Sequence, residues 1–170
     1  GLYCCLLGET PQLIDSDCHV TYITELPQSM AIGTTCDLRI YSKDRNLLQK
    51  LCPDTYVQSL LPLPNKEILL IGTFNCGVKS ISLSSWQEQP VKNGSLPHTP
   101  IRSMIEMTPS TVLLGFDGDG VYTYNLSSGE AEPLFTRTNR MLTAMGVYSL
   151  CRDCEDNIWI GTYTGGAFLM

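Results

Sequence analysis

Four short stretches of this chain resemble one another, and each turns on a glycine. They read "AIGTTCDLRI" from Ala31, "LIGTFNCGVKSI" from Leu70, "LLGFDGDGVYTY" from Leu113 and "WIGTYTGGAF" from Trp159. Their glycines, Gly33, Gly72, Gly115 and Gly161, are spaced 39, 43 and 46 residues apart. A period in this range marks a chain built from stacked supersecondary units, each unable to bury its apolar face alone.

Other elements keep step with the glycine. "VTYI" starts at Val20, "VQSL" at Val57, "IRSM" at Ile101 and "VYSL" at Val147, each ending 10 to 12 residues before its glycine. Turn formers separate the two elements. A third element follows each glycine: "LRIYS" at Leu38, "VKSIS" at Val78, "VYTYN" at Val121 and "AFLM" at Ala167. A fainter fourth follows as "NLLQKL", "QPVKN" and "AEPLFT". β-Branched and aromatic residues dominate these runs, "VYTYN" alternates, and no helical period persists.

Each unit is thus predicted to be four short antiparallel strands, the pattern of a β-propeller blade. The predicted fold is all-β, with about four blade-equivalents. "GLYCCLLGETPQLI" matches the third and fourth strands of an earlier blade, giving a partial blade over 1–14. Whole blades are predicted over about 20–51, 56–92 and 100–136, and an incomplete one over 147–170, within a single propeller region. The glycine strand, second in each blade, is expected to lie buried between neighbours, Trp159 with it. Third strands outnumber the others. The reading therefore favours an arc of a larger, seven-bladed propeller over a closed four-bladed ring. The open edges would then be available for self-association.

Composition excludes several classes. The net charge is −6 and the 11 lysines and arginines are scattered. A nucleic-acid binder needs a basic stripe to neutralise phosphates. No apolar run approaches the roughly 18 residues of a membrane helix, so direct membrane insertion is not expected. Of the eight cysteines, most fall in apolar strand-like runs and are read as buried free thiols acting as small hydrophobes.

Motifs with chemical potential are weighed against plainer readings. "CRDC", Cys151 to Cys154, has the spacing of a redox pair or half a zinc site. The chain has only His19 and His98 to complete a site, and no βαβ context. It is read as a strand end and a turn. "FDGDG" at Phe116 starts like a calcium loop, but the twelfth position from Asp117 is Ser128, not glutamate. It is read as a Gly-rich hairpin. The sequons at Asn93 and Asn125 are read as chance matches in turns. There is no G-x-S-x-G elbow, His98 reads as an exposed loop residue, and Asp117 and Asp119 on one short turn rarely frame a sugar for hydrolysis. No catalytic residue, metal site or cofactor is assigned.

The units resemble the two-component regulator propeller repeat. The last matches best, through Val147, Ser149, Leu150, Asp153, Asn157, Ile158, Trp159, Ile160, Gly161, Thr162, Gly165 and Gly166. The unit at Ile101 keeps Ser103, Gly115, Gly120 and Tyr124, and the earlier ones Gly33–Thr34 and Gly72–Thr73. The resemblance implies a periplasmic, non-enzymatic sensor region of a hybrid two-component histidine kinase, responding to oligosaccharides released from glycans. A protein-interaction scaffold and a propeller lyase or hydrolase are the alternatives.

Propellers bind at one end, so the loops between second and third strands are the candidate surface. Thr35, Phe74, Asn75, Asp117, Asp119, Tyr163 and Thr164 supply hydroxyl, aromatic, amide and carboxylate groups there. Rings stack on sugar faces while polar groups fix hydroxyls. Trp86 and Trp159 are read as packing residues.

Overall fold

The computed structural model describes residues 1–5, 7–134 and 145–170. Seventeen strands and one short 3₁₀ turn make up the regular structure of these residues. Three sheets have four antiparallel strands in chain order. The first holds β3 (Val20–Glu25), β4 (Ser29–Thr34), β5 (Leu38–Ser42) and β6 (Leu47–Leu51). The second holds β7 (Val57–Leu63), β8 (Ile68–Thr73), β9 (Val78–Ser82) and β10 (Glu88–Gln89). The third holds β11 (Ile101–Thr108), β12 (Thr111–Phe116), β13 (Gly120–Asn125) and β14 (Ala131–Pro133). A three-stranded sheet of β15 (Val147–Arg152), β16 (Ile158–Thr162) and β17 (Ala167–Leu169) follows. Ahead of them all, β1 (Leu2–Cys4) and β2 (Gln12–Asp15) form a hairpin. The fourth strand of the second sheet falls on Glu88–Gln89, ahead of most of "QPVKN". Residues 135 and 136, the end of "AEPLFT", lie outside the described residues.

The fold is all-β and its sheets have the form of propeller blades. The inner strands β3, β7, β11 and β15 pack in series, each blade against the next. No comparable packing joins β15 to β3, so the described blades form an open fan. The blade interfaces are the core. Ala31, Leu38 and Ile40 of the first blade meet Val57, Leu60, Leu69 and Ile71 of the second. Leu63 and Leu70 of the second meet Ile101, Met104, Leu114 and Phe116 of the third. Leu113 and Val121 of the third meet Val147, Ile158 and Ile160. Each fully buried Leu, Ile or Val contributes about 1.5–3 kcal/mol relative to exposure.

The repeat glycine has its explanation here. A Cβ on Gly33 would lie 2.5 Å from Val57 Cγ1 of the next blade, and one on Gly115 would lie 2.7 Å from Val147 Cγ1. One on Gly72 would lie 2.9 Å from Ile101 Cγ2. A side chain at these points would hold the blades apart. Hydroxyls add a directed contact: Thr21 donates to the Val57 carbonyl and Ser59 to the Ile101 carbonyl, both at 2.7 Å.

The threonine after the glycine closes the hairpin. Thr73 Oγ1 donates to the Gly77 carbonyl and accepts from the Cys76 N–H, both at 2.8 Å. Thr162 does the same with Gly166 and Gly165. A short side-chain oxygen thereby satisfies turn backbone groups that a ladder cannot reach.

Two expectations are corrected. Trp159 is not buried: it is 43% exposed. Alternate residues of a strand face opposite sides. Ile158 and Ile160 face the third blade, so Trp159 faces the opposite side, which no other sheet of the described residues covers. Most cysteines are not buried either. Only Cys18 and Cys52 are, whereas Cys36, Cys76, Cys151 and Cys154 are exposed free thiols. Cys36, Cys76 and Cys154 lie in turns between strands, where no second sheet packs.

An ionic cluster seats the N-terminal hairpin on the first blade. Buried Arg39 on β5 meets Asp37 at 3.0 Å and Asp15 of β2 at 2.5 Å, and Tyr41 donates to Asp15 at 2.6 Å. The Tyr41 hydrogen bond is the first cause, with Arg39 behind it, that holds Asp15 down to about 2. Burial, and then the Asp15 carboxylate, push Tyr41 up to about 12.

Candidate functional site

The hairpins between second and third strands, and the segments leading into the inner strands, meet at one end of the fan. In each inner strand the register slips between its first and third residues: Val20/Tyr22, Val57/Ser59, Ile101/Ser103 and Val147/Ser149. This is a β-bulge, which re-aims the extra side chain. The residues so placed are Thr21, Gln58, Arg102 and Tyr148.

Arg102 joins three blades. Its Nε and Nη2 donate to Asp117 Oδ2 of its own blade at 3.1 and 2.7 Å. Its Nη1 donates to Gln58 Oε1 of the second blade at 2.6 Å. Its guanidinium lies 5.0 Å over the Tyr148 ring of the last blade. An arginine offers five donors in a planar fork, so N–H groups remain for a ligand. Asp117 offsets the charge, which leaves a polar but nearly neutral centre.

Aromatic pairs flank this centre. Tyr148 stacks on Tyr163 with centroids 5.4 Å apart, and Tyr56 stacks on Phe74 at 5.1 Å. Backbone hydrogen bonds fix both platforms: the Tyr163 N–H donates to the Gly146 carbonyl and the Phe74 N–H to the Tyr56 carbonyl. Tyr163 is 75% exposed and Phe74 42%, an open apolar surface beside polar groups.

The predicted loop residues therefore divide. Asp117 and Tyr163 meet through Arg102 and Tyr148, and Phe74 belongs to the second aromatic pair. Asp119 accepts from Thr99 Oγ1 and serves its own loop. Thr35 is half-buried, with its N–H on the His19 carbonyl. Asn75 is exposed and lines a separate shallow cleft of about 200 Å³ with Asn93 and His98. Thr164 is exposed at its hairpin tip, next to Tyr163.

Tyr56, Gln58, Arg102 and Tyr148 were missed by sequence reasoning. A signal existed: three of them occupy the same variable position between the valine or isoleucine and the serine of the inner strand. Among the described residues no group of three or more His, Cys, Asp or Glu side chains is placed to hold a metal ion. The Asn93 amide both donates to the Val78 carbonyl and accepts from its N–H, so this sequon residue serves as a strand partner.

Comparison with known proteins places the fold. No protein-family model matches the chain, and no curated protein does. Solved structures do match. The computationally designed Ika4 protein shares 13% identity with a TM-score of 0.68, over 94% of both chains. The extracellular domain of a protein described as a hybrid two-component system from B. thetaiotaomicron is similar at 18% identity and a TM-score of 0.71. The match covers 88% of this chain and 21% of that one. A second such extracellular domain from B. thetaiotaomicron gives 16% identity and a TM-score of 0.72, over 94% of this chain and 24% of that one. At these identities the likeness is one of fold. The chain spans about a fifth to a quarter of those two domains.

Proposed function

We propose that this chain is an extracytoplasmic ligand-sensing propeller module of a two-component signalling protein, and that it recognises oligosaccharides without transforming them. The observation that carries the reading is the Tyr148–Tyr163 platform beside the Arg102–Asp117 pair. Stacked rings supply a face for the C–H groups of a sugar, and the polar pair supplies a donor and an acceptor for hydroxyls. Arg102 also links three blades, so a ligand that draws on its hydrogen bonds would change how they pack. The likeness of fold to extracellular domains of hybrid two-component systems supports the signalling role and a periplasmic setting. In this reading a histidine kinase on the same polypeptide is the output of the sensor.

A protein-interaction scaffold is the second reading. The exposed apolar side chains Trp159 and Leu169 on the last sheet favour it. Calorimetric titration with a panel of neutral and acidic oligosaccharides, with chromatography of the mixtures afterwards, decides. The expected result is saturable binding to the wild type, loss in Tyr163→Ala and intact glycan. Glycan cleavage, or no binding by any member of the panel, overturns the sensor reading.

A further inference from the structure

The interface between the first and second blades is filled along its outer strands, and the one between the second and third is not. In the first interface Ile40 of β5 is fully buried, and the Trp86 side chain packs against the same cluster. Ile40 lies two residues after Leu38, the strand partner of Gly33. Ser80 holds that place on β9, two residues after Val78, the partner of Gly72. Trp86 takes a left-handed turn position after β9, with φ 58° and its N–H on the Ser82 carbonyl. Gly129 takes the same position after β13, with φ 75° and its N–H on the Asn125 carbonyl. From one interface to the next, an isoleucine gives way to a serine and a tryptophan to a glycine.

The space left is a cleft of about 220 Å³ between the outer strands of the second and third blades. Buried Leu70, Ser80 and Tyr124 line it, with Lys92, Leu126 and Gly129. None of these residues belongs to the Arg102 centre. A cavity of roughly 150 Å³ is enough to bind benzene, so this one admits a ring with a fused second ring or a short arm. Two polar groups mark it. Ser80 is 5% exposed, and its hydroxyl has no hydrogen-bond partner among the described residues. A buried hydroxyl left without a partner costs free energy, so what fills the cleft is favoured if it bonds this group. Lys92 lays its stem along Gly129, where a built Cβ would lie 2.3 Å from Lys92 Cβ. The Lys92 ammonium enters no ion pair among the described residues.

We propose that this cleft is a second ligand site, for a small aromatic acid with a ring of the size that Trp86 supplies in the neighbouring interface. The ring lies between Leu70 and Tyr124, where aromatic and aliphatic contact favours it. A ring N–H or O–H bonds the Ser80 hydroxyl, and the carboxylate meets the Lys92 ammonium at the rim. The site is independent of oligosaccharide binding at the Tyr148–Tyr163 platform.

Indole-3-acetate and indole are the probes, titrated by calorimetry and by amide NMR. Saturable binding of both to the wild type is expected, with shifts centred on Ser80, Tyr124 and Gly129. Ser80→Ile rebuilds the filled first interface, so it is expected to keep the melting temperature and abolish both. Lys92→Gln is expected to weaken indole-3-acetate roughly two- to fivefold, as loss of an exposed ion pair does, and to leave indole unchanged. Tyr163→Ala is expected to leave both probes bound, which separates this site from the oligosaccharide platform. Absence of saturable binding overturns the proposal. So do shifts centred on Arg102 and Tyr163, binding that survives in a folded Ser80→Ile, or an equal effect of Lys92→Gln on the two probes.

Discussion

Val57 sits where a side chain on Gly33 would be: its Cγ1 lies 2.5 Å and its Cβ 3.0 Å from the position of a Cβ on that glycine. The first residue of one blade thus fills the space that the preceding blade leaves empty. Overpacking such a contact costs about 1–3 kcal/mol. Gly33→Ala is expected to destabilise by that amount in urea unfolding. Val57→Ala leaves a cavity and destabilises by itself. Combined, the two changes should cost less than their sum, with a coupling of about 0.5 kcal/mol or more. Strict additivity would show that the two residues do not share the space.

Arg102 is a site for which lysine is no substitute. Its planar fork reaches Asp117 through two nitrogens and Gln58 through a third. An ammonium group cannot reproduce that geometry. Both Arg102 and Asp117 are about a quarter to a third exposed, so solvent screening keeps the stability cost near 1 kcal/mol. Arg102→Lys and Arg102→Ala are expected to lower the melting temperature by similar small amounts and to weaken oligosaccharide binding about equally. Full binding by the lysine variant would reduce the role of Arg102 to its charge.

Asp15 makes the hairpin acid-sensitive. Its carboxyl titrates at about 2 in the folded chain, held down by Tyr41 and Arg39, against 3.8 ordinarily. A depressed carboxylate contributes stability above its unfolded value and loses it as pH falls through the folded one. The contribution, on the order of 2 kcal/mol, is complete above about pH 5 and lost near pH 2. Amide exchange at Leu13 and Ile14 is expected to quicken over that interval relative to Leu70. Asp15→Asn should quicken it at neutral pH and remove the acid dependence.

Thiol chemistry separates the cysteines by burial. Burial first, and then Glu88, push Cys52 up to about 12, and burial also raises Cys18. Only thiolates react at useful rates. Iodoacetamide at pH 8 is expected to label Cys36, Cys76, Cys151 and Cys154 in the native protein, and Cys18 and Cys52 only after unfolding, as peptide mass mapping would read. Labelling of Cys52 at the rate of Cys36 would contradict the burial.

The amino-acid sequence determined the blades. Strand starts at Val20, Val57, Ile101 and Val147, the glycine near the end of each second strand and the Gly-rich hairpins all follow from a period written in local residues, because strand alternation and turn chemistry act over a few positions. The loop positions of Phe74 and Tyr163 were legible for the same reason, but their stacking partners Tyr56 and Tyr148 were not. The tertiary structure decided what depends on neighbours. Trp159 has the pattern of a buried residue, but burial needs a covering sheet, and none of the described sheets faces it. Arg102 looks like an ordinary strand residue until a bulge turns it toward Gln58, Asp117 and Tyr148, which lie 44, 15 and 46 residues away along the chain. Asp15 and Arg39 are likewise unremarkable charges in sequence, and only the docking of the hairpin on the first blade brings them into contact. A sequence specifies which local structures form. Which side chains share water, charge or space is set by the packing of one sheet on the next.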